Sequence, residues 1–202
     1  HYEFCYLHQL EELEFHQYYN FLPVRPFFLG SRPSDYLRFT GRKQPFSPLP
    51  AANTHQPLVL PPVDSFPQNL KKLAFSLTFL RWNDLSIVGK LPKLEALKLQ
   101  YRACIGEEWE VVEDGFPFLK FLSLEDLDLY YWRASCDHFP CLERLFLKGC
   151  RYLDSIPQDF ADITTLALID ISKCSKSVGN SAKQIQQDVQ DNYASSVEVH
   201  VH

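Results

Sequence analysis

A six-residue pattern, Leu-x-x-Leu-x-Leu, recurs along this 202-residue chain at a nearly fixed interval. It limits the possible folds more than any other feature. Its clearest copy is Leu94-Glu95-Ala96-Leu97-Lys98-Leu99, introduced by Leu91-Pro92-Lys93. With the fourth residue of the pattern as anchor, copies fall on Leu73, Leu97, Leu122, Leu145 and Ile169, at spacings of 24, 25, 23 and 24 residues. Alternate side chains of a strand face the same way. Leu97 and Leu99 therefore point inward together, Lys98 and Gln100 face out, and Leu94 turns inward at the corner before the strand. A single turn cannot bury its own leucines, but stacked copies cover one another. Each buried Leu then contributes roughly 1.5–3 kcal/mol.

An interval of this length is that of a leucine-rich repeat. The expected fold is an α/β solenoid with a parallel β-strand ladder, an irregular convex side and a helix-plus-strand cap at the C-terminal end. The repeat core is expected to comprise Leu73, Leu94, Leu97, Leu99, Leu119, Leu122, Leu124, Leu142, Leu145, Leu147, Leu166, Ile169 and Ile171. A second register in the third copy, Leu124-x-x-Leu127-x-Leu129, would break the spacing, so Leu119, Leu122 and Leu124 are kept as the strand. The outward residues form columns, because neighbouring strands lie about 4.8 Å apart. They make the candidate protein-binding face: Ala74 and Ser76, Lys98, Gln100 and Tyr101, Ser123 and Glu125, Phe146 and Lys148, Asp170 and Ser172. Tyr130, Tyr131 and Trp132 lie just past a strand end. They are either binding anchors or aromatics packed between loops.

The chain divides into degenerate N-terminal repeats at 1–65, regular repeats at 66–176 and a cap at 177–202. Leu13 and Leu37 are earlier anchors 24 residues apart, although the leucines that should precede Leu37 are missing and a helix competes over 7–15. Leu10 and Leu13 would be exposed at an uncapped front edge. Residues 41–67 carry seven prolines, which lock φ and remove donors. They read as an insertion on the convex side or a proline-rich docking peptide. From Phe66 onward an apolar residue followed by proline precedes the strands, at Phe66, Leu91, Phe116 and Phe139. In the tail, Ser181-Ala182-Lys183-Gln184 has the form of a capping box for a short helix to about Asp191, with Ile185 and Val189 on one face. Val197-Glu198-Val199-His200-Val201 then alternates as a half-buried strand does.

Net charge of −5 and a pI near 5.8 leave no basic footprint for nucleic acid. No apolar run approaches the ~20 residues of a membrane-spanning helix, and the first residues do not resemble a signal peptide. With no Met anywhere, the chain reads as a piece of a longer protein. Six scattered cysteines do not make a disulfide scaffold. Cys150 and Cys174 each lie five residues past an anchor, where repeats of this kind place an inward Asn or Cys, so they read as structural thiols. No phosphate-binding loop, H-E-x-x-H, G-x-S-x-G or C-x-x-C occurs. Cys136-Asp137-His138-Phe139-Pro140-Cys141, even with His200 and His202 as partners, lacks the two tight ligand pairs of a zinc site and reads as a loop. No catalytic, cofactor-binding or metal residue is assigned, and the expected role is binding rather than catalysis.

Phe66-Pro67-Gln68-Asn69-Leu70-Lys71-Lys72-Leu73, the Leu91–Leu99 stretch, Phe139-Pro140-Cys141-Leu142-Glu143-Arg144-Leu145 and Ile156-Pro157-Gln158-Asp159-Phe160 resemble the C-terminal repeats of plant intracellular NLR immune receptors. The resemblance is to the coiled-coil class typified by late-blight resistance proteins of the nightshade family. It covers 66–202 strongly, including the tail Ala182–Tyr193, and 1–65 weakly. It implies a cytoplasmic module, with a peripheral membrane position left open, that recognises a pathogen effector or a guarded host protein. It also implies that the repeats hold an upstream NB-ARC domain inactive, with ATP or ADP bound on that domain and not on this chain. A leucine-rich substrate adaptor of an F-box ubiquitin ligase is the alternative; an upstream P-loop or F-box tells the two apart.

Overall fold

The computed structural model describes residues 11–16, 37–40, 57–112, 115–193 and 196–202, with backbone alone for 37–40. In chain order its strands are β1 (Glu12–His16), β2 (Leu37–Thr40), β3 (Lys72–Ser76), β4 (Leu80–Arg81), β5 (Ala96–Gln100), β6 (Cys104–Ile105), β7 (Glu108–Glu110), β8 (Phe121–Glu125), β9 (Tyr131–Arg133), β10 (Arg144–Lys148), β11 (Leu168–Ser172) and β12 (Glu198–Val201). The helices are α1 (Leu85–Gly89) and α2 (Lys176–Tyr193).

Eight of these strands form one sheet in the order β12-β11-β10-β8-β5-β3-β1-β2, and every pairing is parallel. The anchors stand side by side: Leu73 pairs with Leu97, Leu97 with Leu122, Leu122 with Leu145 and Leu145 with Ile169. All thirteen expected core residues are buried in one continuous cluster. The solenoid with a parallel ladder is therefore the observed fold.

Proline-bearing corners explain how β5, β8 and β10 begin. Leu94 N–H donates to Leu91 O, Leu119 N–H to Phe116 O and Leu142 N–H to Phe139 O. In each four-residue turn proline sits second, where its fixed φ fits and no donor is required. Ile163 and Leu166 make the same turn with Thr164 in the second place. Strands β3, β5, β8, β10 and β11 each exit through a left-handed residue: Leu77 (φ 57°), Tyr101 (48°), Asp126 (50°), Gly149 (66°) and Lys173 (55°). Only one of the five is glycine.

On the convex side, β4 pairs with β6 and β7 with β9. Trp82, Trp109 and Trp132 stack in a column there, with ring centroids 5.1 and 5.2 Å apart. Phe116 and Phe139 stack beside them at 5.3 Å. Thr78 and Cys150 fill the inward position after the strand, where Thr78 Oγ1 donates to Ala103 O (2.9 Å) and the Cys150 thiol to Leu124 O (3.5 Å).

Both ends depart from expectation. Chain order alone would put Leu37 between Leu13 and Leu73, yet Leu13 pairs directly with Leu73 and Leu37 lies on the far side of Leu13. Connection length does not enforce chain order here. The 20 residues between β1 and β2 can span tens of ångströms, against a strand spacing of about 4.8 Å. Residues 7–10 and 41–56, including Leu10 and most of the proline-rich stretch, lie outside the described residues. Leu13 is buried, not exposed at an edge, because its strand lies between β2 and β3, Leu73 stands beside it and Phe15 stacks on Phe75 (5.1 Å).

At the other end the helix begins at Lys176, so Ser181 is not its cap. Ser175 is the residue whose hydroxyl accepts from Val178 N–H (3.3 Å) at the first turn. Ser181 lies inside the helix, where its Oγ donates to Val178 O (2.9 Å) and accepts from Ile156 N–H (3.0 Å). Val178, Ala182, Ile185 and Val189 form the buried face of α2. The strand after it pairs with β11, Val199 opposite Ile169. Helix and strand thus make one more turn of the solenoid, in which α2 takes the convex side. Val197 is buried, whereas Val201 is exposed because β12 is the outermost strand.

Candidate protein-binding face

Three rows of side chains stand on the concave side of the sheet. The middle row runs Glu14, Ala74, Lys98, Ser123, Phe146, Asp170 and His200, each opposite the next in register. The row at the strand exits runs His16, Ser76, Gln100, Glu125, Lys148 and Ser172. Every residue assigned to the candidate face from sequence, apart from the corner residue Tyr101, falls in these two rows.

Two of them are not open to solvent. Ser76 is buried because the longer His16 and Gln100 stand on either side of it in the ladder. Glu125 is buried because three neighbours close over its carboxylate. Gln100 Nε2 donates to Oε2 (2.9 Å), Tyr101 OH donates to Oε1 (3.3 Å) and Lys148 Nζ pairs with Oε1. Burial alone would raise the Glu125 pKa, but the hydrogen bonds from Lys148 and Gln100 outweigh it and hold the carboxyl below its ordinary value. Burial, with Glu125 beside it, pushes the Tyr101 phenol up, and the bond to Glu125 raises Lys148. The four residues thus join three neighbouring strand ends into one hydrogen-bonded unit.

The sequence reading missed the third row, at the strand entrances. It runs Glu12, Lys72, Ala96, Phe121, Arg144, Leu168 and Glu198. Phe121 stacks on Phe146 with centroids 5.1 Å apart, and the two half-buried rings form the aromatic centre of the face. Lys98 Nζ lies 5.7 Å and the Arg144 guanidinium 5.6 Å from the centroid of Phe121, both within cation–π range. The signal was in the sequence: the residue just before each anchor shares the outward face with the residue just after it.

The loop aromatics divide. Trp132 belongs to the convex core, whereas Tyr131 is exposed and Tyr130 stacks on Tyr152 with centroids 5.0 Å apart. His138 does not meet His200 or His202. It closes a 3₁₀ turn in which its Nδ1 accepts from Ser135 N–H (2.9 Å). A hollow lined by Trp82, Ser86, Lys90 and Phe116 has room for about one water.

Among known proteins, the chain is similar to a group of plant proteins. Over 128 residues it is 45% identical to the late blight resistance protein homolog R1B-13 of Solanum demissum, covering 61% of this chain and 11% of that protein. The similarity is to late blight resistance protein homologs. The chain is 40% identical to a second late blight resistance protein homolog of the same plant over 141 residues, 65% of this chain and 11% of the relative. A third homolog, also from Solanum demissum, is 44% identical over 128 residues, 61% of this chain and 16% of the relative. The match spans about a tenth to a sixth of the length of these late blight resistance relatives. No protein-family model matches. The resemblance to plant resistance proteins read from the repeat motifs is thereby borne out.

Proposed function

We propose that this chain is a protein-binding module of a plant immune receptor acting in disease resistance. Its concave ladder takes a pathogen effector, or the host protein such a receptor guards. The same module holds an upstream NB-ARC domain of its own receptor inactive. ATP or ADP belongs to that domain in this reading, and the setting is cytoplasmic. Among the described residues no helix is long and apolar enough to cross a membrane.

The observation that carries the reading is the Phe121–Phe146 pair with Lys98 and Arg144 over it. Binding energy concentrates in aromatic and arginine side chains at the centre of a patch, surrounded by groups that exclude water. The names of the relatives support a role in defence.

The test is Phe146→Ala combined with Lys98→Glu in the complete receptor expressed in leaf tissue. The expected outcome is a lost effector response or spontaneous cell death at unchanged protein level. Loss of one aromatic anchor should weaken partner binding about tenfold or more. A receptor that accumulates normally, stays quiet without effector and still responds fully overturns the reading.

A further inference from the structure

We propose that Asp170, His200 and His202 bind one divalent transition-metal ion, of the zinc, nickel or copper class, at the C-terminal edge of the concave sheet. His200 lies on β12 and His202 just past its end, where its N–H still bonds Ile171 O, so the two share a face. Asp170 stands directly opposite His200 on β11. Among the described residues these three form the one group of histidine, cysteine and carboxylate side chains able to converge on a metal, and their ligand atoms all lie within 4.8 Å of one another.

The two separations from Asp170 are close to those a small cation needs. His200 Nδ1 is 3.6 Å and His202 Nε2 3.8 Å from Asp170 Oδ2. Ligand atoms bonded at about 2.1 Å to a shared ion stand about 3.0–3.4 Å apart. Each aspartate–histidine pair therefore has to close by a few tenths of an ångström. The imidazoles are free to turn, since the His200 and His202 side chains are 49% and 65% exposed. The strands that carry them need not move: Glu198 N–H donates to Ala167 O (2.8 Å) and His202 N–H to Ile171 O (2.8 Å).

A second carboxylate is placed to orient one ligand. With Nδ1 turned to the ion, His200 Nε2–H faces Glu198 Oε2 at 3.9 Å. Backing a ligating imidazole with a carboxylate fixes its tautomer and raises its basicity. Asp170 has Phe146 on its other flank, and its ion pairs among the described residues are with these two histidines. Two imidazoles and one carboxylate favour zinc, nickel or copper over calcium or magnesium. Three protein ligands at an open edge leave coordination positions for water or for a group from another molecule. The site does not depend on use of the aromatic centre.

Zinc chloride titrated by calorimetry into the tag-free 202-residue chain under reducing conditions tests the site, with cobalt(II) as a spectroscopic probe. One zinc per chain is expected. His200→Gln, His202→Gln and Asp170→Asn should each weaken binding about tenfold or more, with an unchanged circular dichroism spectrum. His138→Gln should bind as the native chain does, and the cobalt spectrum should lack thiolate charge-transfer bands. The proposal is overturned if the native chain binds no zinc at millimolar concentration. It also fails if the double variant His200→Gln/His202→Gln binds as tightly as the native chain, if His138→Gln weakens binding as much as the single variants, or if cobalt shows thiolate ligation.

Discussion

The two faces of β3, β5, β8, β10 and β11 come from the same residues in alternation, yet they are built on different terms. The inward side is nearly uniform: leucine or isoleucine at almost every position, Phe75 on β3 the exception, all buried and in register across the strands. The outward side changes from strand to strand, from Ala74 and Lys98 to Ser123, Phe146 and Asp170. The interior must interlock with copies of itself, and close packing tolerates little change of volume or polarity. The outer face carries no such demand, so its composition is free to suit a partner. Glu125 crosses the division: it points outward but is buried, and its bonding makes it part of the scaffold.

The division can be broken most directly at adjacent residues of one strand. Leu122→Ala is expected to lower stability by about 2–5 kcal/mol through lost burial and the cavity left behind. Ser123→Ala beside it should stay within about 0.5 kcal/mol. Urea denaturation of both variants would show the contrast, and equal effects would end it. A smaller loss, about 1–3 kcal/mol, is expected for Gly149→Ala. Gly149 has φ +66°, and an added Cβ would stand 2.1 Å from Asp126 Oδ1, so the corner and not either face bears the cost. The same denaturation experiment measures it.

Glu125→Gln sharpens the comparison with an effect of about 1 kcal/mol at neutral pH, moderated because Lys148 is half exposed. Its carboxyl is held below the ordinary value of 4.5. Its contribution is therefore fully present above that pH and lost as pH falls through the lower folded-state value. The gap between native and variant melting temperatures should close on acidification below pH 4.5. A gap that persists in acid would show that the ionised carboxylate is not what ties the strand ends together.

Much of this architecture could be read from the chain. The spacing of Leu73, Leu97, Leu122, Leu145 and Ile169 identified the strands and their registration, and the proline corners marked where β5, β8 and β10 begin. The outward columns followed from alternation. Phe121 and Arg144 were missed because the strand was started at the anchor and not one residue earlier. The helix start was misread because Ser181 resembles a cap in isolation, although its hydroxyl serves Val178 and Ile156.

The sequence by itself determined the repeat, the buried side of each strand and the likeness to plant resistance proteins, because period and alternation are local properties of consecutive residues. The tertiary structure alone decided that β2 lies outside β1, that Trp82, Trp109 and Trp132 stack, that Glu125 is enclosed by Gln100, Tyr101 and Lys148, and that Asp170 meets His200 and His202. The physical reason is common to all four. Each joins side chains or strands some two dozen or more residues apart, and the stacking of whole turns sets their separation, which no local pattern records.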